Sequence, residues 1–169
     1  ASAFIDATGL AAEIAVDIEK HVPLMGGMGG SSVDGAGTLV AQNELFGKKL
    51  DAEALCAVGD KIGADVPICI KGGTLYSITS GDMIAAECDK NCVFVCIYPD
   101  FTLSTAEAYA KYDENPTEIN PHYADFVSSI VCGSLSEGAG FISNVFTKIY
   151  HYSRIEEMKT DLLECGAVI

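Results

Sequence analysis

The segment "HVPLMGGMGGSSVDGAG", residues 21–37, places six glycines and two serines between a strand-like and a helix-like stretch. Before it, "IAVDIEK" (residues 14–20) alternates apolar and polar side chains, which predicts a half-buried strand. After it, "SSVDGAGTLVAQNELFG" predicts a helix that starts at about Ser32 and has Gly47 just beyond its last turn. Glycines before a helix let the backbone approach an anion, and the first N–H groups and the helix dipole favour negative charge. The segment therefore predicts a phosphate-binding loop.

Several kinds of glycine-rich loop fit this position to different degrees. A Walker A loop requires G-x-x-x-x-G-K-[ST], and no lysine follows these glycines, so that type is excluded. A dinucleotide fingerprint requires a third glycine where Ser32 stands, and Pro23 interrupts the connection from strand to turn. A flexible linker is disfavoured because a strand and an amphipathic helix bracket the segment. The favoured interpretation is a longer Gly/Ser loop that a proline introduces and serines close.

The composition bounds the class of protein. The chain has 169 residues, is 49% hydrophobic and carries a net charge of −14, which suits one globular domain or a large part of one. This acidity argues against a nucleic-acid surface, which needs clustered Lys and Arg. No apolar run approaches the length of a membrane span, and no signal peptide opens the chain. We expect an acidic, cytoplasmic protein that binds neither nucleic acid nor membrane; its oligomeric state is not predicted.

The seven cysteines allow two interpretations. Cys88, Cys92 and Cys96 recur every four residues, which would suit a metal site on a helix. However, "NCVFVCIYP" (residues 91–99) is rich in β-branched and aromatic residues and predicts a buried strand, in which the thiols act as small core residues. Core packing is the favoured interpretation, and reduced thiols fit a cytoplasmic compartment. The three histidines have no partner at metal-ligand spacing and are expected at the surface or in loops; they are His21, His122 and His151.

The rest of the chain predicts an α+β layout, with strands first and helices later. The first twelve residues are typical of the end of a helix, and the last four of the start of a strand. The other predicted elements are a helix over 50–63 with Asp51 as N-cap and Gly63 as stop, two strands within 64–87 joined at Gly72-Gly73, the strand at 91–99, a Ser/Thr-capped helix over 103–113, a loop over 114–123 and helices from there to the end.

Three stretches carry a resemblance to a known family. "VPLMGGMGGSSVDGAG" resembles the phosphate loop of the GHMP kinases and aligns without a gap from Pro23 to Ala36. "IGADVPICIKGGTLY" (residues 62–76) and "YPDFTLSTAEAYAKYD" (residues 98–113) resemble two further blocks of one GHMP subfamily. That subfamily transfers the γ-phosphoryl group of ATP to the 2-hydroxyl of 4-diphosphocytidyl-2-C-methyl-D-erythritol, in non-mevalonate isoprenoid synthesis. The loop departs from the family at Ser31, where glycine is usual, and at Val33, where serine or alanine is usual. Ser31 is a mild change if its φ is negative and a strained one otherwise.

The resemblance implies a role for specific residues. The ATP phosphates would be bound by Gly26, Gly27, Gly29, Gly30, Ser31 and Ser32, and Ser32 would also contact Mg²⁺. Asp65 would be the catalytic base, with a turn or cap residue as the alternative. Thr105 and Tyr109 would contact and stack on the cytosine of the substrate; from the pattern alone, Tyr109 is a core aromatic. Asp34 is expected in the first turn of the loop helix, where it complements the dipole, and it is left out of the site.

The resemblance also implies a fold, which is the GHMP kinase two-domain α+β architecture, truncated at both ends. Residues 1–86 would complete the ATP-loop domain, and residues 87–169 would begin the substrate domain. The family's catalytic lysine and last Gly/Ser motif have no counterpart here, so we expect little kinase activity from the chain by itself. Two alternatives remain open: a GHMP kinase for another small alcohol, of the homoserine or mevalonate type, and a non-catalytic nucleotide-binding fragment.

Overall fold

A computed structural model of the chain describes residues 1–23, 25–77, 84–85, 93–116, 122–131 and 135–168. The chain divides into two compact units, Ala1–Ala85 and Ala86–Ile169. The first unit contains helices α1 (Ser2–Thr8), α2 (Gly30–Leu45), α3 (Ala52–Asp60) and α4 (Val66–Lys71) and strands β1 (Leu75–Tyr76) and β2 (Ile84–Ala85). The second contains α5 (Thr105–Glu114), α6 (Tyr123–Val131), α7 (Leu135–Gly138) and α8 (Ser153–Glu164), with 3₁₀ helices at Ala139–Phe141 and Val145–Lys148. Helices with one small sheet fit the predicted α+β class.

Local capping signals define the helix ends where the sequence predicted them. Gly47 follows α2 with φ +80°, and its N–H donates to the carbonyl of Glu44 at 3.1 Å. Asp51 caps α3, because its Oδ1 accepts the N–H of Ala54 at 2.8 Å. Helix α3 ends at Asp60, three residues before the predicted stop at Gly63. These short-range predictions are confirmed to within a turn.

The core of the first unit lies where α1, α2, α3 and α4 meet. Its buried members are apolar and come from all four helices: Phe4, Ala36, Leu39, Leu55, Val58 and Val66. Phe46, just after α2, stacks on Phe4 with ring centroids 6.1 Å apart. The buried Asn43 fixes the turn into α3, since its side chain donates to the carbonyl of Leu50 and accepts the N–H of Leu50. The core thus holds α2, which follows the glycine-rich loop, in a fixed position.

Two predicted strands of the first unit are wrong. Residues 14–20 pair with no strand in the described parts of the chain, and Val16 and Ile18 are exposed. The backbone N–H and C=O groups of a strand form hydrogen bonds with a neighbouring strand. No described segment provides such a neighbour for residues 14–20. The first strand predicted after residue 64 is helix α4 instead. Short apolar runs do not distinguish strand from helix, and here Pro67 in the first turn favours a helix start.

A short hairpin follows α4. Gly72 ends the helix with φ +67°, and β1 then pairs antiparallel with β2, with Leu75 opposite Ala85 and Tyr76 opposite Ile84. The predicted join between two strands at Gly72-Gly73 is therefore a helix-to-strand join.

In the second unit the predicted cap is confirmed and the predicted strand is not. Ser104 caps α5 by accepting the N–H of Glu107 at 3.4 Å. Residues 93–99 form no strand among the described residues, and Val93 is 89% exposed. Cys96 is exposed as well, so its predicted place in a core is wrong. Cys88, Cys92 and residues 117–121 of the predicted loop lie outside the described residues, and the predicted strand start at 166–168 is turn and coil.

The packing of two helical glycines leads to opposite expectations for alanine. A Cβ on Gly37 in α2 would meet no described neighbour within 4 Å, whereas a Cβ on Gly59 in α3 would lie 3.0 Å from both Ile70 Cδ1 and Val66 Cγ1. Gly37→Ala should raise the free energy of unfolding by about 0.5–1 kcal/mol, because alanine loses less entropy in a helix. Gly59→Ala should lower it by about 1 kcal/mol through overpacking. Urea unfolding followed by circular dichroism measures both; an equal gain at the two sites would contradict the packing described.

Candidate phosphate-binding and catalytic site

The glycine-rich loop turns sharply before α2. Gly27 and Gly29 have φ of +69° and +64°, and the non-glycine Met25 has φ +57°. Among the described residues, a Cβ on Gly27 or Gly29 would meet nothing within 4 Å, so backbone conformation and not crowding favours glycine there. Ser31 lies within helix α2, so its departure from the family pattern is the mild one; Val33 is an exposed residue of the same helix.

The N-terminus of α2 presents backbone donors that no side chain in the described part of the protein caps. Its N-cap residue is Gly29, which has no side chain to accept a hydrogen bond. The first intrahelical bond runs from the N–H of Val33 to the carbonyl of Gly29 at 2.9 Å. The N–H groups of Gly30, Ser31 and Ser32 therefore have no acceptor within the helix. Together with the dipole of a 16-residue helix, these donors favour an anion. The helix starts at Gly30, two residues before the predicted start.

A lysine that the sequence analysis did not identify lies at the same helix end. The ammonium group of Lys20 pairs with the carboxylate of Asp34, and both side chains are partly buried. The Cε and Nζ atoms of Lys20 both lie 3.5 Å from the place that a Cβ on Gly30 would occupy. A positive charge thus lies beside the uncapped N–H groups. The Walker A pattern requires a lysine after the glycines, so it does not detect one that precedes them.

Asp34 does not lie in the first turn of the helix, where the sequence predicted it. Asp34 lies in the second turn of α2, since the first turn contains no acidic residue. Its carboxylate pairs with the ammonium group of Lys20, and it lies beyond the first turn, where the dipole acts most strongly. The pair fixes the lysine against the helix.

Asp65 lies at the start of α4, next to the first turns of α2. It occupies the N-cap position of α4, but its side chain accepts no capping hydrogen bond among the described residues and is exposed. The next residue, Val66, packs on α2, because its Cγ2 lies 3.5 Å from a Cβ position on Gly35. Asp65 is therefore a turn residue, as in the alternative to a catalytic role, but the structure shows no capping bond for its side chain among the described residues.

The charge of Asp65 affects a neighbouring thiol. Burial, and then the negative charge of Asp65, raise the pKa of Cys69 above its ordinary value. Burial also raises the pKa of Cys56, whose Sγ lies 3.8 Å from the carbonyl oxygen of Pro67. Both thiols are therefore kept protonated at neutral pH and act as packing residues.

The two residues predicted to bind the substrate lie in the second unit. Thr105 is the first residue of α5, and Tyr109 follows one turn later, so both are on one face of the helix. Tyr109 is 56% exposed, so it is not the core aromatic of the alternative interpretation. Its ring contacts Phe146 edge to face, with centroids 5.2 Å apart. The structure thus groups Gly26–Ser32 with Asp65 in one unit, and Thr105 with Tyr109 in the other.

The described ranges contain neither a metal cluster nor a membrane span. No group of three or more His, Cys, Asp or Glu residues within them is placed to hold a metal ion. No helix in the described part of the chain has the length and apolar character needed to cross a bilayer. The three histidines are exposed, as predicted, and two of them lie 3.2 Å from a carboxylate: His21 from Glu19 and His122 from Asp125.

Known proteins resemble this chain along most of its length. A protein of Clostridium acetobutylicum named 4-diphosphocytidyl-2-C-methyl-D-erythritol kinase is 32% identical over 171 residues, which cover 99% of this chain and 61% of that protein. A protein of the same name from Lachnoclostridium phytofermentans is 35% identical over 158 residues, covering 90% of this chain and 54% of the relative. One from Clostridium novyi is 31% identical over 171 residues, covering 99% of this chain and 61% of the relative. The chain therefore spans roughly three fifths or less of the relatives it matches.

The first part of the chain also matches a described domain family. Residues 1–73 match the family described as GHMP kinases N terminal domain. This range contains the glycine-rich loop, Lys20, α2 and Asp65. The resemblance inferred from the three motifs is confirmed: residues 1–73 are similar to the GHMP kinase N-terminal domain family, and relatives of one kinase name align with most of the chain.

Proposed function

We propose that this chain is part of an ATP-dependent kinase that phosphorylates the 2-hydroxyl of 4-diphosphocytidyl-2-C-methyl-D-erythritol. The observation that carries the proposal is the uncapped N-terminus of α2, where a left-handed Gly29 leaves three N–H donors beside Lys20. The names of the relatives support the choice of substrate. Residues 1–86 would then complete an ATP-loop domain, and residues 87–169 would begin a substrate domain.

The loop fits the phosphates of ATP. Residues 26–32 would surround the phosphates with backbone N–H groups, and the Lys20 ammonium would balance part of their charge. Mg²⁺ binds proteins through few oxygens and completes its shell with substrate phosphates and water, so the half-buried Ser32 hydroxyl fits one ligand position. Bound Mg²⁺ would neutralise charge on the phosphate oxygens. Asp34 would keep Lys20 directed along the helix end.

Asp65 fits the role of the base. Its exposed carboxylate, free of a capping bond, would accept the proton of the substrate hydroxyl as that oxygen attacks the γ-phosphorus. The bond from the γ-phosphorus to the bridging oxygen breaks, and ADP leaves with that oxygen. Thr105 and Tyr109 would hold the cytosine, with the exposed ring of Tyr109 stacking on the base.

The experiment is a turnover assay on the natural full-length polypeptide with ATP, Mg²⁺ and one of three alcohols. Turnover of the cytidine-diphosphate ester, but not of homoserine or mevalonate, is the expected result. Turnover of homoserine or mevalonate alone would show a GHMP kinase of another type. No turnover, with ATP binding retained, would show a non-catalytic nucleotide-binding protein.

The Lys20–Asp34 pair gives a separate prediction about ATP affinity. Lys20→Ala should weaken ATP binding about tenfold or more, because a charge-assisted contact to phosphate is lost. Asp34→Asn keeps the lysine and leaves an amide oxygen that can still accept a hydrogen bond from its ammonium group, so the affinity should be equal or higher because the competing negative charge is removed. Calorimetric titration of ATP measures both, with the exposed Lys49→Ala as a charge-matched control. Equal losses for Lys20→Ala and Lys49→Ala would show that Lys20 has no specific role.

A further inference from the structure

We propose that Phe146 is a positioning residue that holds the ring of Tyr109 ready to stack on the cytosine; this inference rests on the proposed function. The ring centroids of Tyr109 and Phe146 are 5.2 Å apart, and the ring planes meet at 84°. In an edge-to-face pair, the edge of one ring points at the face of the other. If Phe146 supplies the edge, it covers one face of the Tyr109 ring and leaves the opposite face open. If Tyr109 supplies the edge, Phe146 covers neither face of the Tyr109 ring. Either arrangement restrains the tyrosine and leaves a ring face for a base.

Hydrogen bonds of its own backbone hold Phe146 in place. It lies in the 3₁₀ helix Val145–Lys148, which Asn144 caps by accepting the N–H of Phe146 at 3.0 Å. The carbonyl of Phe146 accepts the N–H of Tyr150 at 2.9 Å. The hydroxyl of Thr147 donates to the carbonyl of Asn144 at 2.7 Å. The backbone of Phe146 is therefore held on both sides, and its side chain is half-buried where that of Tyr109 is exposed.

A second contact fixes the same segment to α5. The Nζ atom of Lys111, two residues after Tyr109, lies 4.3 Å from the centroid of the Tyr150 ring. Such a cation–π contact and the Tyr109–Phe146 pair join α5 to residues 146–150 at two points. Both contacts oppose a movement of α5 away from residues 146–150. The tyrosine is thus restrained in both its helix and its ring.

This restraint has a specific consequence for binding. A side chain ordered before the ligand arrives loses less conformational freedom on binding. Phe146 should therefore strengthen binding of the cytidine end of the substrate, and it should leave the ATP site and the transfer step unchanged. From the usual strength of an aromatic pair, the expected effect on the KM for the cytidine-diphosphate ester is about three- to tenfold.

The test is a double-mutant cycle in the natural full-length polypeptide, with separate KM values for the two substrates. Phe146→Ala should raise the KM for the cytidine-diphosphate ester about three- to tenfold with kcat and the KM for ATP unchanged. In a Tyr109→Ala background the same change should have no further effect. Phe146→Leu keeps apolar bulk but removes the ring, and it replaces the alanine variant in the cycle if that variant unfolds. Phe146→Tyr keeps the ring and should give the KM of the unsubstituted protein for the cytidine-diphosphate ester. Phe101→Ala removes a ring that contacts Tyr152 at 4.8 Å and is the matched control.

The outcomes separate this inference from the function on which it rests. If Tyr109→Ala raises the KM for the cytidine-diphosphate ester and Phe146→Ala or Phe146→Leu does not, the positioning role is overturned and the substrate assignment stands. The positioning role is also overturned if Phe146→Ala raises this KM equally with and without the Tyr109 ring, because Phe146 then does not act through Tyr109. If Tyr109→Ala leaves that KM unchanged, the stacking role fails, and the positioning role fails with it.

Discussion

Asp65→Asn in the natural full-length polypeptide is expected to lower kcat about 10²–10⁴-fold, the usual contribution of a general base. The neutral amide has nearly the shape of the carboxylate but does not take up the proton of the substrate hydroxyl. The fold should be unchanged, because the Asp65 side chain is exposed and makes no capping bond with any residue that the structure describes. Steady-state kinetics with saturating substrates measure kcat, and a thermal melt verifies folding.

Asp60→Asn is the matched control for this change. Asp60 is an exposed aspartate at the end of α3, five residues before Asp65, and its substitution removes the same charge. We expect its kcat to equal that of the unsubstituted protein. A kcat for Asp65→Asn within about threefold of the control would rule out the role of Asp65 as base.

Gly29→Ala is expected to raise the KM for ATP about tenfold or more. Gly29 has φ +64°, a conformation that costs an L-residue about 1–2 kcal/mol. The loop would relax away from this conformation, and the N–H groups of Gly30, Ser31 and Ser32 would no longer converge. Within 4 Å, a Cβ there would meet none of the described residues apart from its chain neighbours, so crowding is not the cause. Initial rates over a range of ATP concentrations measure the KM.

Gly37→Ala supplies the control within the same helix. It also adds a methyl group to open space, but at an ordinary helical φ and two turns from the loop. Its KM for ATP should be unchanged. Equal KM values for the two alanine variants would show that the left-handed turn at Gly29 has no part in ATP binding.

The parts of the fold that depend on residues close together in the sequence could be predicted. Asp51 and Ser104 cap their helices, and Gly47 follows α2, because each signal acts within about four residues. The strand over residues 14–20 could not be settled in this way. Alternation identifies a segment able to form a strand, whereas the strand itself requires a partner distant in the sequence. Helix α4 was missed because its short, mostly apolar sequence of six residues fits both structures.

The same distinction applies to the candidate site. The glycine-rich loop was predicted because its pattern consists of consecutive residues. Lys20 was missed, since its role depends on an ion pair with Asp34, 14 residues later, and on the direction in which α2 leaves the loop. The interpretation of Ser31 also needed the structure, because only the helix start at Gly30 shows that its φ is ordinary.

The most direct test of the central claim, that the loop backbone binds the ATP phosphates, is amide NMR of the ¹⁵N-labelled full-length polypeptide. ATP with Mg²⁺ should shift the amide signals of Gly30, Ser31 and Ser32, and adenosine at the same concentration should not. Lys20→Ala should reduce these shifts at a given ATP concentration. Signals of these three residues that stay in place at saturating ATP, while others move, would contradict the account.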